Sequence, residues 1–262
     1  MNTNTPNADL PNADIPVVIF CGGEGTRMRG GTLTKKELVE IGGRPIIWHV
    51  MRIYSTYGFR KFVLPLGYEA AQLRRYFLDY EAMTRDFTVR LGDRAGQIDF
   101  RGPEQHPEWE VSLVDTGLRT DKASRIARVA DYLTADRFCV TYGDGVGDVD
   151  LAALMAFHAA HGKTATITAY QPSHYQYGTM VAGDDGLVTE YVQYPELPYW
   201  INAGFMVFER AALDWMRGGD DMALETGVMQ EMLAAGELMM YRHRGFWQSM
   251  DTLKDANDLE RL

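Results

Sequence analysis

The stretch that constrains this chain most is "IPVVIFCGGEGTRMRGGTLTKKELVEIGGRPI", Ile15 to Ile46. An apolar run, Ile15 to Phe20 with one proline inside, passes straight into a turn holding Gly22, Gly23, Gly25, Thr26 and Arg27, and Lys35 and Lys36 follow. A short apolar run closed by glycine reads as a buried strand. Glycines at its carboxyl end let backbone N–H groups approach a phosphate, in the crevice where open parallel sheets take their ligands. The turn lacks the G-x-G-x-x-G spacing of dinucleotide folds, and no G-K-[S/T] closes it as in a Walker A loop. Arg27, Lys35 and Lys36 shift the reading from a tight connection toward an anion site, because the chain carries a formal charge of −10 and has few basic residues to place there for solubility.

The same charge, with a pI near 5.1, argues against a nucleic-acid surface, which needs a basic patch to displace counterions. Cys21 and Cys139 both end apolar runs and form no metal or disulfide framework, which fits a reducing cytoplasm. Residues 1–15, MNTNTPNADLPNADI, are polar and carry no apolar core of a signal peptide, so they read as a flexible extension. No later stretch reaches the ~18 apolar residues of a membrane span.

Beyond the glycine turn, Ile46, Ile47, Val50, Met51 and Tyr54 fall on one helical face that ends at Gly58. "KFVLPLG" reads as a second buried strand and "EAAQLRRYFLDYEAM" as a second helix, a β-turn-α-β-α opening that predicts a parallel sheet. Strand-like runs "FTVRLG", "QIDFRG" and "WEVSLVDT" follow, then a helix around Arg125 to Leu133 and the strand "RFCVTYGDGVGDVD". After helix "LAALMAFHAAHG" and strand "TATITAY", shorter strands lead to a helical stretch reaching Leu238 and a last strand "LMMYRHRGFWQSMDT". No linker divides residues 16–262, which predicts one domain with a nucleotide half followed by an acceptor half.

Two carboxylates stand out as metal candidates. Asp144 lies between glycines at the end of a strand, where a single carboxylate ligates Mg²⁺ when phosphates supply further oxygens. Asp251 stands between a strand-like run and a polar helix, so an N-cap role competes with a metal role. Two carboxylates meeting at one Mg²⁺ suit phosphoryl or nucleotidyl transfer. Asp148 reads as a turn residue and Asp150 as the cap of the helix at Leu151; His49, His158 and His161 make no nucleophile or metal set.

"GGEGTRM", "VEIGGRPIIWHVM", "VSLVDTG", "TYGDGVGDVD", "FHAAHGKTATITA", "INAGFMVF" and "GFWQSMDTLKD", in order and spacing, resemble the sugar-phosphate nucleotidylyltransferases, and among them the glucose-1-phosphate cytidylyltransferase branch. The resemblance covers Pro16 to Leu262. It implies a Rossmann-like three-layer α/β/α fold around a mixed, mostly parallel sheet, and Mg²⁺-dependent joining of a nucleoside triphosphate, CTP first, to a sugar 1-phosphate or related phosphate or phosphonate acceptor. It implies Arg27, Lys36 and Asp144 as catalytic residues, and Asp144 with Asp251 as the metal pair. Cys21, Gly22, Gly23, Gly25, Thr26, Arg27, Thr116, Gly117, Arg125 and Gly143 would hold the nucleotide; Tyr177, Gly178, Tyr194, Asn202 and Gly204 would hold the acceptor. Relatives of this kind form oligomers, which implies a homo-oligomer.

The chain departs from that pattern at three places. The family's Lys-Pro-Lys-Pro-Met reads Thr34-Lys35-Lys36-Glu37-Leu38, which leaves Lys35 as the stand-in for the first lysine. Tyr194 stands where the family has the lysine that contacts the acceptor phosphate. Thr-Gly-Gly-Arg reads Lys122-Ala123-Ser124-Arg125, which alters a loop expected near the base and makes Ala123-Ser124 the feature to test if another triphosphate, of uridine, thymidine or guanosine, is preferred. The lost lysines and Glu37 also support a competing reading, a nucleotide-binding homologue without catalysis.

Overall fold

In the computed structural model the described residues are 11–23, 34–91, 97–102, 108–172, 178–193, 199–219 and 221–262. Strand β1, Val17–Phe20, is buried along its whole length, which is why it needs no alternation of apolar and polar residues. Beside it run β2 (Lys61–Leu66), β3 (Glu110–Asp115) and β4 (Arg137–Tyr142). The sheet continues with β5 (Ala165–Tyr170), β6 (Ile201–Asn202), β7 (Met206–Glu209) and β8 (Leu238–His243). The order is β6-β5-β7-β4-β1-β2-β3, with β8 paired parallel to β5. The β1–β2, β2–β3 and β1–β4 pairs are also parallel, and β7 runs antiparallel between β4 and β5. The chain leaves β1 toward β2 and β3 and returns on its other side at β4. The crevice at the carboxyl ends of β1 and β4 is therefore a topological switch point.

Helices cover both faces, as the three-layer expectation required. One face packs Val18, Val140 and Met206 against Ala123 and Ile126 of the helix Lys122–Arg128. The other packs Ile19, Cys139 and Val207 against Ile47, Val50, Met51 and Tyr54 of the helix Ile46–Thr56, the face read from the sequence, and against Leu151 and Leu154 of the helix Leu151–His161. Asp150 caps that last helix through Ala153 N, as expected. Among the described residues no helix is long and apolar enough to cross a membrane.

Some boundaries differ from the sequence reading. The helix expected over residues 69–83 breaks at Asp79 into Ala70–Leu78 and Tyr80–Thr84. The last strand divides at Gly245 into β8 and the short strand Trp247–Ser249, which pairs with Gly145–Gly147 instead of joining the sheet. Asp148 enforces the division: its Oδ1 accepts from Phe246 N at 2.6 Å and lies 3.2 Å from His243 Nε2. A Cβ at Gly245 would fall 2.3 Å from that same oxygen. Within the expected extension, Asn12 donates to Tyr57 O at 2.8 Å and Asp14 pairs with Lys61.

A buried imidazole gives the fold a predictable acid sensitivity. His158 contacts Thr166 Oγ1 at 2.8 Å and Glu209 Oε1 at 3.1 Å. Burial holds its pKa below the ordinary value, although the Glu209 carboxylate and its hydrogen bond pull the other way. The unfolded chain takes up this proton near pH 6.5 and the folded chain only at lower pH, so this contribution to stability is present above about pH 6.5 and is lost as pH falls. Thermal melts at pH 7.5 and 5.5 should show a smaller acid loss for His158→Gln than for wild type; equal losses would remove His158 as the cause.

Candidate active site

The site begins where β1 and β4 end in register, Phe20 opposite Tyr142, with Gly143 N donating to Phe20 O at 3.2 Å. Cys21 adds backbone only, since its thiol is buried, bonded to Ile19 O at 3.2 Å and pushed up in pKa by that burial. Gly22 lies against Arg125, whose Cζ would be 2.4 Å from a Cβ at that position. Gly143 is equally confined: a Cβ there would meet Phe20 O at 2.9 Å and Glu37 Cγ at 3.0 Å. Both positions are held to glycine by close packing.

Arg125, expected among the nucleotide ligands, is brought to the site but engages the protein. Its Nη1 donates to Leu66 O at 3.0 Å and Thr116 Oγ1 at 2.7 Å, and its Nη2 to Gly22 O at 3.4 Å and Leu118 O at 3.3 Å. One buried guanidinium thus ties together the chain leaving β1, β2 and β3. Burial holds its pKa below the ordinary arginine value. Thr116 is part of this tie through its hydroxyl, and Gly117 turns with φ +84°, where a Cβ would also strike Arg128 Nη1 at 2.8 Å.

Lys36 opens a single turn, Lys36–Leu38, and its Nζ lies 2.5 Å from Asp144 Oδ2 and 2.8 Å from Asp251 Oδ1. Burial alone would depress this ammonium, but the Asp144 and then the Asp251 carboxylate outweigh it and raise its pKa. Two carboxylates far apart in sequence converge because Gly145–Gly147 pairs with Trp247–Ser249, Ser249 opposite Gly145, and Met250 N donates to Asp144 O at 2.9 Å. The N-cap role that competed for Asp251 belongs to Thr252, which forms a capping box with Asp255 on the helix Leu253–Glu260. Asp251 is left to face Lys36, with Ser249 Oγ donating to its other oxygen at 3.0 Å.

Lys35 does not serve as the stand-in cation. It is 3 % exposed, and its Nζ lies 2.9 Å from Tyr68 O, 3.4 Å from Gly23 O and 3.4 Å from Glu37 Oε2. It holds the glycine turn from beneath. Burial pushes the Glu37 carboxyl up to about 7 despite Lys35, and the Asp144 charge adds to the rise.

Of these groups, Gly22, Gly23, Lys36, Glu37, Arg125 and Asp144 line a cleft of about 470 Å³. Its wall includes Leu118 to Lys122 with Asp221, whereas Ala123 and Ser124, in the loop expected near the base, do not line it. Both are buried in the opposite direction: Ala123 N donates to Met222 O at 3.1 Å, while Ser124 Oγ donates to Gly219 O at 2.5 Å and accepts from Met222 N at 3.0 Å. Sequence reasoning also missed Glu225, which accepts from Tyr142 OH at 2.8 Å and pairs with Lys122. Asn202 Nδ2 donates to the same phenol at 3.0 Å, and Gly204 N donates to Asn202 Oδ1 at 2.9 Å, so these two expected acceptor residues adjoin the cleft. Gly178 instead lies by Tyr191 on the ribbon formed by Thr179–Ala182 and Val188–Val192. Gly25, Thr26, Arg27, Tyr177 and Tyr194 lie outside the described residues.

A doubly wound sheet with a glycine turn, a lysine and paired carboxylates at its switch point is the build of a phosphate-handling α/β protein. Residues 16–259 match the nucleotidyl transferase family, and the chain belongs to it. Glucose-1-phosphate cytidylyltransferase of Salmonella typhi is 38% identical over 249 residues, covering 94% of each chain. Mannose-1-phosphate guanylyltransferase of Mycobacterium tuberculosis is 27% identical over 247 residues, 92% of this chain and 62% of that one. The crystal structure of HddC from Yersinia pseudotuberculosis complexed with GMP-PN shares the fold, with a TM-score of 0.67 at 17% identity over 94% of this chain and 98% of that one.

Proposed function

We propose that this protein transfers a nucleotidyl group, with CTP as donor, to the phosphate of a sugar 1-phosphate or a related phosphate or phosphonate monoester, releasing pyrophosphate in the cytoplasm. The observation that carries the reading is the convergence of Lys36, Asp144 and Asp251 at the switch point. The 38% identity to a cytidylyltransferase along nearly the whole chain supports the choice of CTP. In the reaction an oxygen of the acceptor phosphate attacks the α-phosphorus in line. The new P–O bond forms as the bond to the β-phosphate oxygen breaks, and the electron pair leaves on pyrophosphate.

The chain's part is to position and to neutralise. The glycine turn offers backbone N–H groups, Lys36 supplies fixed positive charge, and the family resemblance adds Arg27. The Asp144 and Asp251 carboxylates already converge on one cation, the Lys36 ammonium, and are hard oxygen donors, so they fit Mg²⁺ and would hold it with phosphate oxygens and water. When bound, that ion supplies positive charge to the phosphates. On this reading the wall from Leu118 to Lys122 with Asp221 would meet the base.

The test is pyrophosphate release with Mg²⁺ and glucose 1-phosphate, comparing CTP with UTP, GTP, ATP and thymidine triphosphate. Fastest turnover with CTP is expected. Faster turnover with another triphosphate would reassign the base, and nucleotide binding without turnover on any sugar phosphate would favour a non-catalytic homologue, the reading that the withdrawal of Lys35 from the cleft supports.

A further inference from the structure

Beyond Asn202 the sheet carries a second concentration of positive charge. Ala169 pairs with Asn202 on one side and with Arg242 on the other. Paired residues on neighbouring strands share a face, so Arg242 lies on the face where Asn202 meets Tyr142, two strand spacings or roughly 10 Å away. Trp200 and Arg244, each two residues from one of these, meet there as well: the guanidinium carbon of Arg242 lies 5.6 Å and that of Arg244 5.5 Å from the Trp200 ring centre. Both arginines are exposed, and neither makes a hydrogen bond or ion pair among the described residues. In a chain of net charge −10, two cations gathered on one ring with no carboxylate paired to them among the described residues are unusual. Cation–π contact with the indole restrains each guanidinium, and a guanidinium whose N–H donors are open can take an oxyanion in a bidentate fork.

We propose that Arg242 and Arg244, set on Trp200, bind an oxyanion of the acceptor. This rests on the acceptor half of the proposed function. The class of acceptor is then a phosphate or phosphonate monoester whose anionic group the arginines hold, or a sugar phosphate bearing a second acid group such as a carboxylate. The lysine replaced by Tyr194 makes either source useful, because the usual cation for the acceptor is missing.

The experiment titrates the full chain, with a non-hydrolysable CTP analogue present, with glucose 1-phosphate and separately with glucuronic acid 1-phosphate. The double variant R242Q/R244Q, at two exposed positions and checked for folding by its melt, should bind at least one probe about 10- to 150-fold more weakly than wild type, the range for a charged hydrogen bond. Equal weakening for both probes identifies the shared phosphate as the bound group; weakening for the glucuronic acid derivative alone identifies its carboxylate. Unchanged affinity for both probes, or no binding of either by wild type, overturns the proposal. Pyrophosphate release separates this from the parent reading: a wild type that binds acceptor but turns over with no triphosphate refutes the transferase and leaves the arginine site standing.

Discussion

Asp144→Asn should lower pyrophosphate release by about 10²- to 10³-fold or more, the scale of losing one preorganised electrostatic element, here the carboxylate that holds the cation beside the transferring phosphate. The amide keeps the shape of the carboxylate but loses the charge that both Lys36 and a divalent cation require. Lys36→Met should fall in the same range for the complementary reason. It leaves Asp144 and Asp251 facing the triphosphate without the ammonium that lies 2.5 and 2.8 Å from them. Measured together, the two variants also test whether these residues act as one unit, because the double variant should then lose little more than either single one. Activity within about 10-fold of wild type in Asp144→Asn would place the chemistry elsewhere.

Arg125→Met should have the largest effect on stability. The methionine fills similar space but withdraws donors from Leu66 O, Thr116 Oγ1, Gly22 O and Leu118 O in a site that is 5 % exposed. Leu66 O and Gly22 O retain backbone donors, Thr116 N at 3.0 Å and Tyr68 N at 3.2 Å, so not every acceptor is orphaned. A loss of about 3 kcal/mol is expected. For a chain of this size that lowers the melting temperature by roughly 6–12 °C, measurable by calorimetry. Nucleotide affinity should fall with it, since the glycine turn loses its support. A melting temperature within about 1 °C of wild type would mean that the guanidinium supports nothing.

What the sequence disclosed follows from the range of the interactions. β1 and its glycines, the buried face of Ile46 to Tyr54 and the Asp150 cap depend on neighbours within a few residues, and pattern alone locates them. Asp144 and Asp251 were legible as a pair only through family resemblance, because their convergence depends on a ribbon between Gly145–Gly147 and Trp247–Ser249 that no local periodicity announces. The surroundings of Lys35 and of Ala123–Ser124 were hidden for a related reason. A lysine beside a glycine turn looks available until Tyr68, from another part of the chain, supplies the carbonyl that holds it. Ser124 looks like a loop residue until Gly219 and Met222 enclose it. Glu225 gave no local signal; its role exists only because the turn Leu224–Val228 meets Tyr142 at the end of β4.

The ribbon that joins Asp144 to Asp251 also sets when the site can exist. Lys36 and Asp251 are separated by 215 residues, among the longest-range pairings in the molecule. Closing so large a loop carries an entropic penalty that is recovered only after the intervening sheet has formed. On the ribosome Lys36 emerges 215 residues ahead of Asp251 and waits for that partner to follow. A nascent or half-refolded chain therefore holds no paired carboxylates beside its glycine turn until the sheet between them has formed.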